Sequence, residues 1–240
     1  MAFEWLLMPP AHPFHVFGTS HQVVLVLTPL MIVLLALLRR WHEGLAVRAE
    51  RLLAVLLFLS WPVTMIGHWL GGDFSRDNAF PCHFCDVAAM CGSVALWTRN
   101  RLFCEILYFF GMAGTLQGLL TPNLKADFPD LRFFAFFLLH SGVVVAALHA
   151  VTSMRCPPRP GAVPRMAGIT FLYGLLAGLL NALAGTNYGF LCSKPEVASL
   201  MDHLGPWPWY IAGLVLLTVV FYTVLNLPFV MGRWWRSRRR

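Results

Sequence analysis

His21–Leu38 reads HQVVLVLTPLMIVLLALL and stops at Arg39-Arg40. After its first two residues the run is broken only by Thr28 and Pro29, so it is apolar all round and not along one stripe. A bilayer's hydrocarbon region, about 30 Å thick, takes roughly 20 such residues to cross as a helix. The stretch therefore reads as a membrane span. Working outward, similar runs cover about 52–70, 81–97, 102–120, 133–151, 166–184 and 209–231, with Pro62 expected to kink the second. The expectation is an all-α polytopic membrane bundle of seven transmembrane helices, a single domain over 1–240 with a basic tail at 233–240. Composition agrees: 58% of the 240 residues are apolar and 12% charged, too few charges to coat a soluble globule.

The formal charge of +7 invites a nucleic-acid partner, but membrane proteins collect Lys and Arg in cytoplasmic loops, and no nucleic acid is expected. Seven spans give two alternating sets of flanks. Fourteen of the 18 basic residues fall on one set, with Arg39, Arg99, Arg155 and the tail, and four on the other, Arg76, Lys125, Arg132 and Lys194. This bias predicts an outside N-terminus and a cytoplasmic C-terminus. Met1 to Ser20 lacks a basic region ahead of its apolar residues and is not expected to be a signal peptide. The six cysteines are scattered and do not form a disulfide framework. Gly114-x-x-x-Gly118 and Gly174-x-x-x-Gly178 read as close helix contacts.

Polar side chains within spans are costly and tend to face a bundle interior or a cavity. Here they gather toward one end. His21, His68, His83, Cys85, Asp86, Gln117, Asn123, Asn187 and Tyr188 lie at span ends on that side. His140 sits eight residues beyond Arg132, roughly 12 Å deep at 1.5 Å per residue. Apart from Glu105 and His149, the opposite half reads as largely apolar, which disfavours a polar path across the bilayer.

The densest segment is Phe80-Pro-Cys-His-Phe-Cys-Asp86. On a helix, Cys82 and Cys85 share one face, and His83 and Asp86 share another. A helix N-terminus stabilises a thiolate, and a thiolate beside a histidine can attack an acyl carbonyl and carry the chain as a thioester. His83 and His140 are the candidate bases, and Gln117 and Asn187 candidate donors to an oxyanion. The same residues also fit a redox C-x-x-C pair, a metal site completed by His21, His68 or His140, or small buried side chains.

Four motifs resemble the bacterial YwaF family: Phe80–Asp86, Gly114–Asn123 (GTLQGLLTPN), His140 in FFLLH, and Gly185–Leu191 (GTNYGFL), joined by Phe17–His21 (FGTSH). That family is related to the eukaryotic transmembrane protein 164, regarded as a Cys/His-dependent acyltransferase. The resemblance implies a membrane-embedded lipid acyltransferase or transacylase acting on phospholipids or fatty acyl chains, without cofactor or metal. The family pattern Leu-Pro-x-His-x-Cys falls on Pro81, His83 and Cys85, with Phe80 in place of Leu. The eukaryotic Pro-Cys-His points instead to Cys82. His140 resembles the family's membrane-embedded His, and Gln117 and Asn187 its buried polar positions. A non-enzymatic lipid- or metal-binding protein, or a transporter using the same polar residues, is the alternative.

Overall fold

The computed structural model describes residues 12–239; the expectation about a signal peptide in Met1 to Ser20 falls mostly outside them. Eight α-helical segments follow one another: α1 (Thr19–Trp41), α2 (Glu43–Leu70), α3 (Phe84–Thr98), α4 (Arg101–Phe110), α5 (Leu116–Leu120), α6 (Leu131–Thr152), α7 (Ala162–Ala184) and α8 (Trp209–Arg238). A π-helical turn, Gly111–Thr115, joins α4 to α5 into one rod. Six helices are long and apolar enough to cross a membrane, namely α1, α2, the α4–α5 rod, α6, α7 and α8. The third expected span appears as α3, apolar but only 15 residues long, about 22 Å at 1.5 Å per residue. Its first expected turn, from Pro81, is non-helical chain with bends. Pro62 lies inside α2, which continues to Leu70.

The helices run between two unlike ends. One end has tight reversals: His42 alone links α1 to α2, and Arg99, left-handed at φ 56°, with Asn100 links α3 to α4. The Asn100 side chain accepts the Leu102 N–H and caps α4. The other end, here the cap end, carries the long connections 71–83, 121–130 and 185–208.

Helix α6 is the axis of the bundle, packed against α1, α2, α3 and α4. Its run Gly142-Val-Val-Val-Ala-Ala147 is buried throughout, and these small or stiff side chains let Leu57, Leu107 and Phe110, all fully buried, close on it. Burying each large apolar side chain contributes about 1.5–3 kcal/mol. Helices α7 and α8 lie at the rim, with Leu183 78% and Leu216 67% exposed. Such apolar surface suits lipid and not water. Tyr222 with Thr170, and Tyr108 with the Leu225 carbonyl, tie α8 to α7 and α4.

Two expectations about this frame change. The tight-turn end is not apolar. Glu50, 1% exposed, receives His149 at 2.9 Å, Arg99 at 3.1 Å and Arg39 at 3.7 Å. Glu105, equally buried, is clamped by Arg159 and Arg165. Arginines that appeared in the sequence only as orientation signals reach inward to these acids, because an unpaired buried carboxylate is strongly unfavourable. The second concerns the glycine pairs. Gly114 and Gly118 do seat neighbours, but Gly174 has nothing within 4 Å and Gly178 only Leu191 at 4.0 Å. Among the described residues, that stripe packs on no other helix.

At the cap end, Arg132 enters the bundle backward. It is bidentate to Asp130, the N-cap of α6, and reaches Asp73 at 3.2 Å. Burial pushes the Asp130 carboxyl up, yet the Arg132 hydrogen bonds hold it below the usual carboxylate range.

Candidate functional site

The cap end is organised by Asn181, a buried amide near the end of α7. Its Oδ1 accepts the Tyr188 N–H at 2.7 Å and the Thr186 hydroxyl at 2.9 Å, and its Nδ2 donates to the Tyr188 carbonyl at 3.0 Å. Gly185, left-handed at φ 64°, stops α7 and turns the chain toward this amide. Tyr188 is thereby fully buried. Its hydroxyl donates to the Arg76 carbonyl at 2.6 Å and accepts the Phe80 N–H at 3.2 Å. Asp77 completes the seam: its Oδ1 accepts the Asn187 N–H, and its carbonyl accepts His83 Nε2–H at 3.0 Å. Loops 71–83 and 185–193 are thus one knotted cap.

Under this cap lies Cys82–Asp86. Helix α3 begins at Phe84 with His83 as its N-cap, so Cys82 and His83 precede the helix and the shared-face reading of Cys82 with Cys85 does not hold. Cys85 and Asp86 do occupy its first turn. The Asp86 carboxylate accepts the His83 N–H at 3.1 Å, the return bond of a capping box. The Tyr173 hydroxyl, from α7, donates to the Cys82 carbonyl at 3.0 Å. Phe84 stacks on Phe110 at 4.1 Å and fills the place where a side chain on Gly114 would stand. The thiols of Cys82 and Cys85 are free and half-buried.

His140 approaches from α6. Its Nδ1 bonds to the Phe136 carbonyl at 2.8 Å, and its ring stacks on Phe136 at 3.9 Å. A carbonyl can only accept, so the proton sits on Nδ1 and Nε2 is left as the acceptor nitrogen. Nε2 has no hydrogen-bond partner among the described residues and rests against Gly118, where an added Cβ would come within 2.7 Å. His83 is set likewise: Nε2–H donates to Asp77, Nδ1 is the acceptor, and the ring packs against Tyr188 and Phe190. No hydrogen bond joins either thiol to an imidazole among the described residues. The π turn lies between, with Gly111 facing Val143 and Gly114 facing Phe84. Such turns recur at functional sites because they re-aim one helical turn.

The remaining candidates divide. His21 is fully buried and spent on structure: Nδ1 accepts the Phe17 N–H at 2.9 Å and Nε2 donates to the Leu119 carbonyl at 2.9 Å, fastening α1 to α5. His68 pairs with Asp73 at 3.0 Å. Asn187 uses its whole amide on Cys192 and Ser193, leaving no donor for an oxyanion. Asn123 is exposed. Gln117 is half-buried with no hydrogen bond to its side-chain amide, which stays free to donate. Among the described residues, no three His, Cys, Asp or Glu side chains converge as metal ligands. Sequence reasoning missed Tyr173, Asp77, Thr186 and Asn181, though Asn181, strongly polar within an apolar run, carried the usual signal of a buried amide.

A helical bundle with six membrane-length apolar helices and a knotted polar cap defines a polytopic membrane protein. The chain belongs to the TMEM164 family, whose model matches residues 16–226. It is also 29% identical over 223 residues to an uncharacterized protein of Treponema pallidum (strain Nichols), covering 89% of each chain. No solved structure matches.

Proposed function

We propose that this protein is a lipid acyltransferase or transacylase of the bacterial inner membrane, working under the cap with a cysteine nucleophile and a histidine base. The observation that carries the reading is the state of His140. Its Nδ1–H is anchored to a backbone carbonyl and its ring is clamped by Phe136, so that in the neutral imidazole Nε2 is the acceptor nitrogen, without a hydrogen-bond partner among the described residues and against the small Gly118. That is the form a general base requires. Free thiols lie at the same end of the bundle, with Cys85 in the first turn of α3.

In this scheme His140 takes the thiol proton and the Cys85 sulfur attacks the ester carbonyl of a donor lipid. The carbonyl–oxygen bond breaks, and the departing lysolipid oxygen takes that proton from His140. A hydroxyl of the acceptor then gives its proton to His140 and attacks the thioester, and the thiol leaves reprotonated. Gln117 is the residue free to donate to the oxyanion, and Tyr188 keeps the cap closed over the site. The basic tight-turn end supports a cytoplasmic placement for that end, which puts the chemistry in the outer leaflet.

The test is exchange of an isotopically labelled acyl chain from a phospholipid to a lysophospholipid, by purified protein in vesicles, read by mass spectrometry. Cys85→Ser and His140→Gln are expected to fall to background while remaining folded, with Cys82→Ser resolving which thiol reacts. Unchanged exchange in both cysteine variants removes the proposal.

A further inference from the structure

A large opening lies away from the thiols. It is a groove of about 1100 Å³ on the outer face of α1 and α6, above the range of roughly 300–1,000 Å³ typical of small-molecule pockets. Its walls are Val23, Leu27 and Met31 of α1 and Phe134, Phe137 and Leu138 of α6. Val23, Leu27, Met31 and Phe134 are each about half exposed, so the groove opens toward whatever surrounds the helices. From Ser20 to Met31 it runs along about 17 Å of helix, roughly half of a ~30 Å hydrocarbon core. Its length is therefore one leaflet. Near its deep end the Thr28 hydroxyl donates to Ser141 at 3.0 Å, so both hydroxyls are satisfied.

The rim is polar and built. Residues 12–14 pair with 125–127: Asp127 N–H donates to the His12 carbonyl at 3.2 Å, and Phe14 N–H to Lys125 at 3.1 Å. This holds the His12 and Asp127 side chains at the mouth, beside His15 and Thr19. Helix α1 starts there, and its N-cap, Gly18, offers no side chain to its first N–H groups. Such groups attract phosphate. A second, independent sign is the Ser20 hydroxyl, which lines the groove, is shielded from solvent and has no hydrogen-bond partner. A buried unpaired hydroxyl costs about 1–3 kcal/mol, and an oxygen acceptor in the groove would relieve it.

We propose that the α1–α6 groove is a resident site for a phospholipid with an amine-bearing, zwitterionic headgroup. The acyl chains lie on the apolar walls. The phosphate takes the α1 N–H groups and the Ser20 hydroxyl, with His12 and His15 alongside, and the ammonium faces the Asp127 carboxylate. An anionic headgroup without an amine would meet that carboxylate unfavourably. The site is separate from the acyl-transfer centre, since Ser141 faces the groove while His140 faces Gly118, and it stands whether or not that chemistry does.

The full chain, with Leu138 replaced by photoreactive p-benzoylphenylalanine, is irradiated in vesicles of mixed phosphatidylethanolamine and phosphatidylglycerol and its mass measured. A second protein carries the probe at the lipid-facing Leu176 as a measure of bulk lipid. Adducts at position 138 are expected to be enriched about tenfold in the ethanolamine lipid over those at 176, the ratio one charge-assisted hydrogen bond supplies. Asp127→Asn and Ser20→Ala are each expected to lower that enrichment. If either variant fails to fold, the comparison of 138 with 176 decides alone. Adducts at 138 that match bulk composition, a crosslinked dimer, or an internal crosslink to residues 1–11 overturn the proposal.

Discussion

Gly118→Ala puts one methyl where the structure has least room for it. The new Cβ would stand 2.6 Å from His140 Cδ2 and 2.7 Å from Nε2, about 1 Å inside ordinary van der Waals contact. The imidazole cannot simply turn away, because Nδ1 is bonded to Phe136 and the ring is stacked on that residue. Overpacking of this kind costs about 1–3 kcal/mol, and loss of the Phe136 bond would add about 0.5–1.5 kcal/mol. Alanine's better helix propensity returns at most about 1 kcal/mol, so a net loss of about 1–3 kcal/mol remains. A ring displaced by about 1 Å should also slow acyl exchange by about a hundredfold. The control is Gly174→Ala, where nothing lies within 4 Å; the same methyl there should be neutral or stabilise by up to about 1 kcal/mol. Thermal unfolding in detergent and the labelled acyl-exchange assay read the two effects. If Gly118→Ala unfolds at or above the wild-type temperature, the packing argument is wrong; if it is destabilised yet exchanges at the wild-type rate, His140 is not the base.

Other perturbations separate structural from chemical roles. His21→Phe keeps the aromatic contacts with Phe14 and Phe137 but leaves the Leu119 carbonyl unpaired, costing about 1–3 kcal/mol; thermal unfolding should show it, with exchange per folded molecule unchanged. Glu50→Ala strands His149 and two arginines and should cost about 3 kcal/mol, the low end for a broken buried pair because Arg99 is 39% exposed. Glu43→Ala, which breaks an exposed pair with the same Arg39, should cost under about 1 kcal/mol by the same unfolding measurement. Asn181→Leu removes the three bonds that hold Thr186 and Tyr188, so limited proteolysis should cut within 185–193 at least about tenfold faster, the ratio for 1.4 kcal/mol of local opening.

Much of this protein was legible along the chain. Whether a stretch enters a membrane depends on its own length and polarity, so the runs at 21–38 and 209–231 reappear as α1 and α8, lengthened at their ends. The polar span ends of the cap were readable because each helix reverses the direction of the last, but the buried charge clusters around Glu50 and Glu105 at the opposite end were not. Where local reasoning failed, the deciding partner was distant. His21 and Asn187 look as functional as His140 in sequence, yet His21 meets a carbonyl 98 positions away and Asn187 is consumed by its own loop. Glu50 and His149 are 99 positions apart, and neither could announce the other.

The chain's own chemistry therefore determined the solvent it folds in and the approximate spans. Tertiary structure alone decided which polar groups are already satisfied, that the Cys82–His83 pair precedes a helix, and that a lipid-sized groove lies on the α1 face of α6, away from the thiols. Hydrophobic length is a property of a segment; hydrogen-bond satisfaction and cavity shape belong to pairs of segments that meet only when the bundle closes.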